Sequence, residues 1–417
     1  MLLRFRFSNF RSFRDEAELS LVASGLDDSP NAAFAVPGLK ERVLPVAAIY
    51  GANASGKTNV VRALQFMSEA VRDSHRSWAP DDPIPRHPFA SGAAATAASL
   101  FEADFVLDNV RHRYGFILDS ASIIEEWLLV YPSGKPQAWF KRKRGEPISF
   151  GSKLPGENRA IEALTRPNSL FLSAAAQNNH VALSPPYLWF SNSLSFVLDR
   201  TTLLSETTRL CSDESYRKAI AGLVSGADLG IEGLRLQERQ ASIAVDIVGV
   251  ERRPPFAFKL PEIRLAHRFG PDVIPFDQEL ESGGTLAYLA LLGPVVWILR
   301  DGGTVCVDEL DASLHPLLAV RIIELFNDPA RNPHRAQLIF NTQDTNLLSS
   351  KVLRRDEIWF TEKQPDGNSK LYPLTDFKPR RHENLENGYL QGRYGAIPFI
   401  NAGSFVDAFG DDGAASS

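Results

Sequence analysis

Apolar and polar residues alternate from Leu2 to Phe7 and again from Glu18 to Val22, with a polar stretch, Asn9 to Arg14, between them. That period predicts two strands joined by a turn. An apolar run from Val43 to Tyr50 stops at Gly51, and from Thr58 the apolar positions Val61, Leu64, Met67 and Val71 recur at helical spacing. The order is therefore strand, glycine loop, helix. Residues 76–98 are rich in proline and alanine and read as a loop. Between 100 and 150 the segments FEADFVL, HRYGFIL, EEWLLVY and AWFKRKR, separated by short turn-like stretches, predict an antiparallel meander. Helical stretches alternate with polar loops from Gly156 to about Leu223, and strand-like alternation returns over 230–250. The last block predicts a helix over 286–299, a strand over 304–307, a helix over 317–326 and a strand over 337–340. The tail after Phe409 is small and polar, and disorder is expected there.

These patterns predict an α/β protein with an N-terminal lobe over 1–155, an inserted helical region over 156–228, a C-terminal lobe over 229–409 and a tail over 410–417. A chain of 417 residues with 44% hydrophobic content can bury a core without covalent staples. A net charge of -5 supplies no global field for nucleic acid or membrane, so a nucleic-acid contact would need a local patch. Two cysteines, Cys211 and Cys306, exclude a disulfide framework and a multi-cysteine metal site. The N-terminus alternates and carries arginine at 4, 6, 11 and 14, unlike an export signal. The longest apolar run, 286–299, is interrupted by Gly293-Pro294 and reads as a core helix, so no membrane residence is expected and a cytoplasmic location is.

Gly51-Ala-Asn-Ala-Ser-Gly-Lys-Thr58 fits the phosphate-loop pattern. Its glycines let backbone N–H groups face phosphate oxygens, and the following helix aims its positive end at the same anion. Lys57 adds a point charge for the β- and γ-phosphates, and the Thr58 hydroxyl is a ligand for Mg²⁺. Asn53, Ala54, Ser55, Gly56, Lys57, Thr58 and Asn59 are the candidate nucleotide contacts. Thr304-Val-Cys-Val-Asp308-Glu309 is a short apolar strand ending in two carboxylates. Beside a phosphate loop, Asp308 supports the metal and Glu309 polarises the attacking water. Glu281-Ser-Gly-Gly-Thr285 opens the helix at 286. Alone, Ser282 reads as an ordinary N-cap. The order of motifs — phosphate loop, Ser-Gly-Gly before a helix, Asp-Glu, then Leu310-Asp311 — is that of ABC-type ATPases.

Here the chain resembles the bacterial ABC-type ATPases related to RecF, SMC and the OLD proteins, and more closely the stand-alone AAA-ATPase-like proteins of phage-defence loci. The matching phrases are FSNFRSFRDEAELSLVAS, IYGANASGKTNVVRAL, HRYGFIL with EEWLLVY, NSLFLSAAAQNN, ADLGIEGL, ESGGTLAYLALLGP, VCVDELDASLHPLL, FNTQDTNLL and YLQGRYGAIP. The resemblance implies an ABC-type ATPase head with a mixed β-sheet, an antiparallel meander and an inserted helical subdomain. It implies that ATP and Mg²⁺ are bound and that a homodimer, or a higher even oligomer, closes around the nucleotide. Ser282, Gly283 and Gly284 would then act in trans, and Asp311 would be the acid of the interface loop. Gln177, taken to follow an apolar strand LFLS, would be a metal-sensing glutamine. Gln343 occupies the switch position where relatives carry histidine, which implies slow hydrolysis or a clamp-like role for ATP.

The expected function is an ATP-dependent sensor or regulator of a partner effector or nuclease in anti-phage defence. The alternative is a DNA-binding repair or chromosome-maintenance ATPase. The segment after Gln343 contains no Asp-x-Asp, so a nuclease activity would belong to a partner. Trp139 to Arg144 and Arg380-Arg381-His382 with Arg393 are the basic stretches that a nucleic-acid partner would use, although short charge runs are more often solvated faces.

Overall fold

A computed structural model describes residues 1–28, 33–199, 203–227, 230–243 and 256–398. In chain order the strands are β1 (Leu2–Ser8), β2 (Ala17–Ser20), β3 (Val46–Tyr50), β4 (Ser99–Leu107), β5 (Val110–Leu118), β6 (Ile123–Tyr131), β7 (Gln137–Lys143), β8 (Ser149–Phe150), β9 (Leu194–Val197), β10 (Ile231–Ile243), β11 (Phe256–Phe269), β12 (Asp272–Phe276), β13 (Thr304–Val307), β14 (Gln337–Asn341), β15 (Ile358–Lys363) and β16 (Ser369–Pro373). The helices are α1 (Lys57–Asp73), α2 (Asn158–Leu164), α3 (Phe171–Gln177), α4 (Ser184–Asn192), α5 (Leu203–Leu210), α6 (Glu214–Ser225), α7 (Gly283–Asp301), α8 (Pro316–Asn327) and α9 (Leu385–Leu390).

Three sheets form. An antiparallel sheet runs β2-β1-β4-β5-β6-β7-β8, which is the expected meander with the N-terminal hairpin added along β1. The turn of that hairpin closes on itself through Phe10 and Phe13, whose backbones exchange hydrogen bonds of 2.8 and 2.9 Å. A second sheet, β16-β15-β3-β14-β13-β9, is parallel except for β16. Its strands β3, β13 and β14 are buried at every residue, which explains why residues 46–50, 305–307 and 338–340 read as apolar runs rather than alternations. A third, three-stranded antiparallel sheet is built from β10, β11 and β12.

Helix α1 packs between the first two sheets, with Val60, Val61, Leu64, Met67 and Val71 on its buried face. On the opposite face of the parallel sheet, α7 and α8 build a second core with α5 and α6. Among the described residues α7 is the one helix long and apolar enough to cross a membrane, and two-thirds of it is buried inside this core. The two sheets are stitched at Gln337. Its side chain accepts from the Leu2 N–H (2.7 Å) and donates to the carbonyls of Leu2 (2.9 Å) and Leu44 (3.1 Å).

Two expectations change. The segment 156–228, expected as an inserted helical region, is mostly helical but also contains the strand β9, which pairs in parallel with β13. The phrase LFLS is not a strand; Phe171 to Gln177 form α3, whose first amides of Phe171 and Leu172 donate to the buried Glu126 carboxylate at 2.7 and 3.0 Å. That capping outweighs the β-like composition. The expected tail over 410–417 and the end of the 230–250 alternation lie outside the described residues.

Candidate nucleotide-binding site

Tyr50 ends β3 in a fully buried position, and the chain must leave the sheet there. Gly51 makes that exit. A Cβ at Gly51 would stand 2.4 Å from the Thr361 carbonyl oxygen on the neighbouring β15. Gly56, at φ 114°, precedes α1, and a Cβ there would meet the hydroxyls of Ser369 at 2.7 Å and Ser12 at 2.9 Å. The loop is therefore braced from behind. Ser55 Oγ bonds Thr361 Oγ1 (2.6 Å), the Ser369 hydroxyl donates to the Ser55 carbonyl (2.6 Å), and Asn59 Nδ2 donates to Ser12 Oγ (2.8 Å).

No side chain caps the start of α1. Its first N–H groups thus point into the loop with the positive end of the helix, a ready anion site. The Lys57 ammonium lies over the same loop, donating to the carbonyls of Gly51 (2.8 Å) and Ala52 (3.1 Å). Burial pulls its pKa below the usual lysine value, and the charges of Glu309, Asp308 and Asp311 oppose that fall. Of the three, Asp308 is in direct contact with the start of α1, through Thr58.

The parallel arrangement explains the meeting. Strands β3, β14 and β13 end at one edge of the sheet, with β14 between the other two. Two strand spacings separate β3 from β13, roughly 10 Å, and side chains close that gap. Thr58 Oγ1 donates to Asp308 Oδ1 at 2.9 Å. Asn341, at the end of β14 and fully buried, donates through Nδ2 to the same Asp308 oxygen. The Asn341 side-chain carbonyl accepts from the Glu309 N–H (2.7 Å), and its backbone carbonyl accepts from Leu310 N–H (3.0 Å). Glu309 is held at φ 51° with its side chain exposed toward solvent. The hard oxygens of Thr58 and Asp308, side by side at the loop, form a donor pair suited to Mg²⁺.

Gln343 is exposed two residues beyond Asn341 and lines a cleft of about 470 Å³ with Gly51, Ala52, Asn53 and Tyr389. Ser282 is the N-cap of α7, accepting from Thr285 N–H at 3.1 Å, and it is exposed together with Gly283. A Cβ on Gly284 would lie 3.1 Å from the Ser313 carbonyl, so this loop sits against the turn that follows Asp311.

Gln177 is not part of the site. It ends α3, bonding Tyr187 Oη at 3.5 Å, and the Tyr187 hydroxyl donates to the Arg72 carbonyl at 3.2 Å. Arg72 is in the last turn of α1, roughly 20 Å from Thr58 at 1.5 Å per residue. A metal-sensing role for Gln177 is thereby overturned. The basic stretches are also largely engaged. Arg142 pairs with Glu126 (3.4 Å) and Lys143 with Glu146 (3.3 Å), while Arg144 pairs with Asp119. Arg381 pairs with Asp27 at 3.0 Å and Arg393 with Glu383.

Sequence reasoning passed over Asn341, Ser12, Thr361 and Ser369. Asn341 had a legible signal, the first polar residue after the apolar run Leu338-Ile339-Phe340. The hydroxyls had none, because their role arises from β15 and β16 folding over the loop.

No curated protein matches the chain. Among solved structures it is similar to the SMC head domain from Thermotoga maritima, at 14% identity and a TM-score of 0.43, covering 89% of this chain and 98% of that one. It is similar to an SMC head bound to the C-terminal winged-helix domain of ScpA, at 14% identity and a TM-score of 0.47, over 89% and 96% of the two chains. A third is the SMC head with an extended coiled coil bound to the C-terminal domain of ScpA derived from Pyrococcus furiosus, at 13% identity and a TM-score of 0.45, over 90% and 97%. A family model described as "AAA domain, putative AbiEii toxin, Type IV TA system" matches residues 46–349, which run from the first residue of β3 past Gln343. With that span covering most of the chain, the protein belongs to this family of AAA domains.

Proposed function

We propose that the chain binds and hydrolyses ATP between two copies of itself and that this cycle regulates a partner effector or nuclease in anti-phage defence. The observation that carries the ATPase reading is the joint made by Thr58, Asp308 and Asn341, which ties the phosphate loop to the Asp-Glu strand and orients Glu309. The loop amides and Lys57 hold the β- and γ-phosphates. Thr58 and Asp308 would hold Mg²⁺, which when bound neutralises charge on the phosphate oxygens. Glu309 accepts the proton of the attacking water. Gln343, lining the same cleft, offers the γ-phosphate a hydrogen bond without a charge, in keeping with slow turnover.

Ser282, Gly283 and Gly284 are exposed or half-exposed at the start of α7, free to meet the nucleotide of a second copy, with Asp311 beside them. Closure then follows from binding, and hydrolysis reopens the pair. The defence role rests on the family description and on the phrases that resemble defence-locus ATPases. In the two basic stretches Arg142 is held by the buried Glu126, while Arg144, Arg381 and Arg393 form exposed pairs with carboxylates of the same chain, so these stretches by themselves do not favour a DNA clamp over the first reading.

The test is Glu309→Gln with ATP and Mg²⁺, followed by native mass spectrometry. A trapped, ATP-loaded dimer is expected, while Lys57→Ala should bind no nucleotide. An ATP-loaded Glu309→Gln chain that stays monomeric would show the sandwich to be wrong.

A further inference from the structure

Away from the phosphate loop, α6 and α8 both pack against α7 and leave a groove between them of about 780 Å³. Its floor is a strip of α7, with Tyr288, Val296 and Leu299, flanked by Leu318 and Leu325 of α8. From Tyr288 to Leu299 the strip is roughly 16 Å long at 1.5 Å per residue, three turns of a helix. The α6 wall is low. Gly222 lies in the interior of α6, is exposed, and would meet nothing within 4 Å if it carried a Cβ. Neither backbone nor neighbours demand glycine there, and glycine costs a helix about 1 kcal/mol relative to alanine. A larger residue would, however, fill the groove.

The rim carries three guanidinium groups. Arg300, Arg321 and Arg331 line it beside His334, and among the described lining residues there is no carboxylate. Among the described residues Arg321 and Arg331 pair with half-exposed neighbours three residues away, Glu324 at 2.7 Å and Asp328 at 3.3 Å. Such surface pairs are worth only a few tenths of a kcal/mol, so both guanidinium groups are available to a better-placed carboxylate. Arg300 is held out along the rim by Ser215, through contacts of 2.7 and 3.0 Å, and by stacking on Tyr216.

We infer that this groove is a docking surface for an acidic amphipathic helix of a partner protein. Leucine-like side chains at helical spacing would enter between α6 and α8, and flanking Asp or Glu would reach Arg321 and Arg331. An apolar floor with charges confined to the lips suits a helix better than a nucleic-acid backbone, which would leave the floor uncovered. The surface shares no residue with the phosphate loop, so its test is separate from that of the ATPase reading.

The probe is a fluorescein-labelled synthetic helix of about five turns with leucine on one face and glutamate on the other, beside a counterpart carrying lysine in place of glutamate, each titrated with the full chain and followed by anisotropy. Micromolar binding of the glutamate helix is expected, at least tenfold tighter than the lysine helix and weakened by salt. Gly222→Trp should abolish binding while the thermal midpoint stays within a few degrees. The pair Arg321→Glu and Arg331→Glu should weaken the glutamate helix at least tenfold and strengthen the lysine helix. Lys57→Ala should bind the glutamate helix as well as the unaltered chain does. Equal binding of the two peptides, no measurable binding of the glutamate helix, or unchanged affinity in a folded Gly222→Trp chain would each overturn the inference.

Discussion

Asn341→Ala isolates the contribution of the buried amide that joins the two acidic residues to the phosphate loop. In the native chain this side chain makes two bonds, one to the Asp308 carboxylate and one from the Glu309 N–H at 2.7 Å. A hydrogen bond to a charged group is worth about 1.5–3 kcal/mol, and a buried donor left without a partner costs about 1–3 kcal/mol. Glu309 is the more sensitive end. Its φ of 51° is a left-handed conformation that a non-glycine residue holds at a cost of roughly 1–2 kcal/mol. Without the Asn341 acceptor, nothing in that bond opposes relaxation to a right-handed or extended geometry, which would swing the carboxylate away from the phosphates. Taking about 2–3 kcal/mol as the lost ordering predicts a fall in turnover of roughly 30- to 150-fold. Nucleotide affinity should change less than about threefold, because the loop amides, Lys57 and Thr58 are untouched. Steady-state phosphate release gives the first number, and titration with a fluorescent ATP analogue gives the second. Turnover within twofold of the native chain, in a preparation where Glu309→Gln is inactive, would refute the clamp. Loss of nucleotide binding would refute it as well, since the residue would then be supporting the loop itself.

Gly56→Ala should weaken nucleotide binding at least tenfold by calorimetric titration, since its Cβ would press on Ser369 and Ser12 in a backbone conformation at φ 114°. Burial pushes the Asp104 carboxyl up, but its bonds to Arg113 and Arg111 more than offset this and leave its pKa below the usual aspartate value. A depressed acid stabilises the fold above its unfolded value, near 4, and that stability is lost as pH falls through the folded value. Asp104→Asn should therefore cost about 1–3 kcal/mol at pH 7 in urea unfolding, and the gap to the native chain should narrow below pH 4. Both thiols are buried, with Cys211 pushed up to about 11 and Cys306 raised further, both by burial. A disulfide reagent at pH 8 should leave both unmodified in the native chain and react with both after denaturation; fast modification of Cys211 in the folded protein would contradict its placement.

Much of this architecture could be read from the chain because period and burial coincide. The meander segments alternate in sequence, and the runs at 46–50, 305–307 and 338–340 are uniformly apolar because both faces of the parallel sheet are covered. The phosphate loop and the Asp308-Glu309 pair are local motifs whose meeting follows once their strands are parallel. What stayed hidden depends on pairing across the chain. β9 is a four-residue strand in a helical neighbourhood, recognisable only by its partner β13. The LFLS phrase has a strand-like composition, yet a carboxylate from β6 caps it into a helix. The braces Thr361 and Ser369 are ordinary surface-type residues until β15 and β16 lay them behind Gly51 and Gly56. Gln177 was misplaced for the same reason, since no local feature says which end of α1 its segment reaches.

The strand order of the parallel sheet also constrains the birth of the protein on the ribosome. Val46 on β3 pairs with Leu338 and, next to it, Ala48 pairs with Ile358, so the strand carrying the phosphate loop emerges early with both of its edges bare. Its nearest partners, on β14 and β15, leave the exit tunnel much later than β3 does. Until then β3 is an apolar, unpaired strand of the kind that invites aggregation. The joint of Thr58, Asp308 and Asn341 can close only once β14 has joined the sheet beside it.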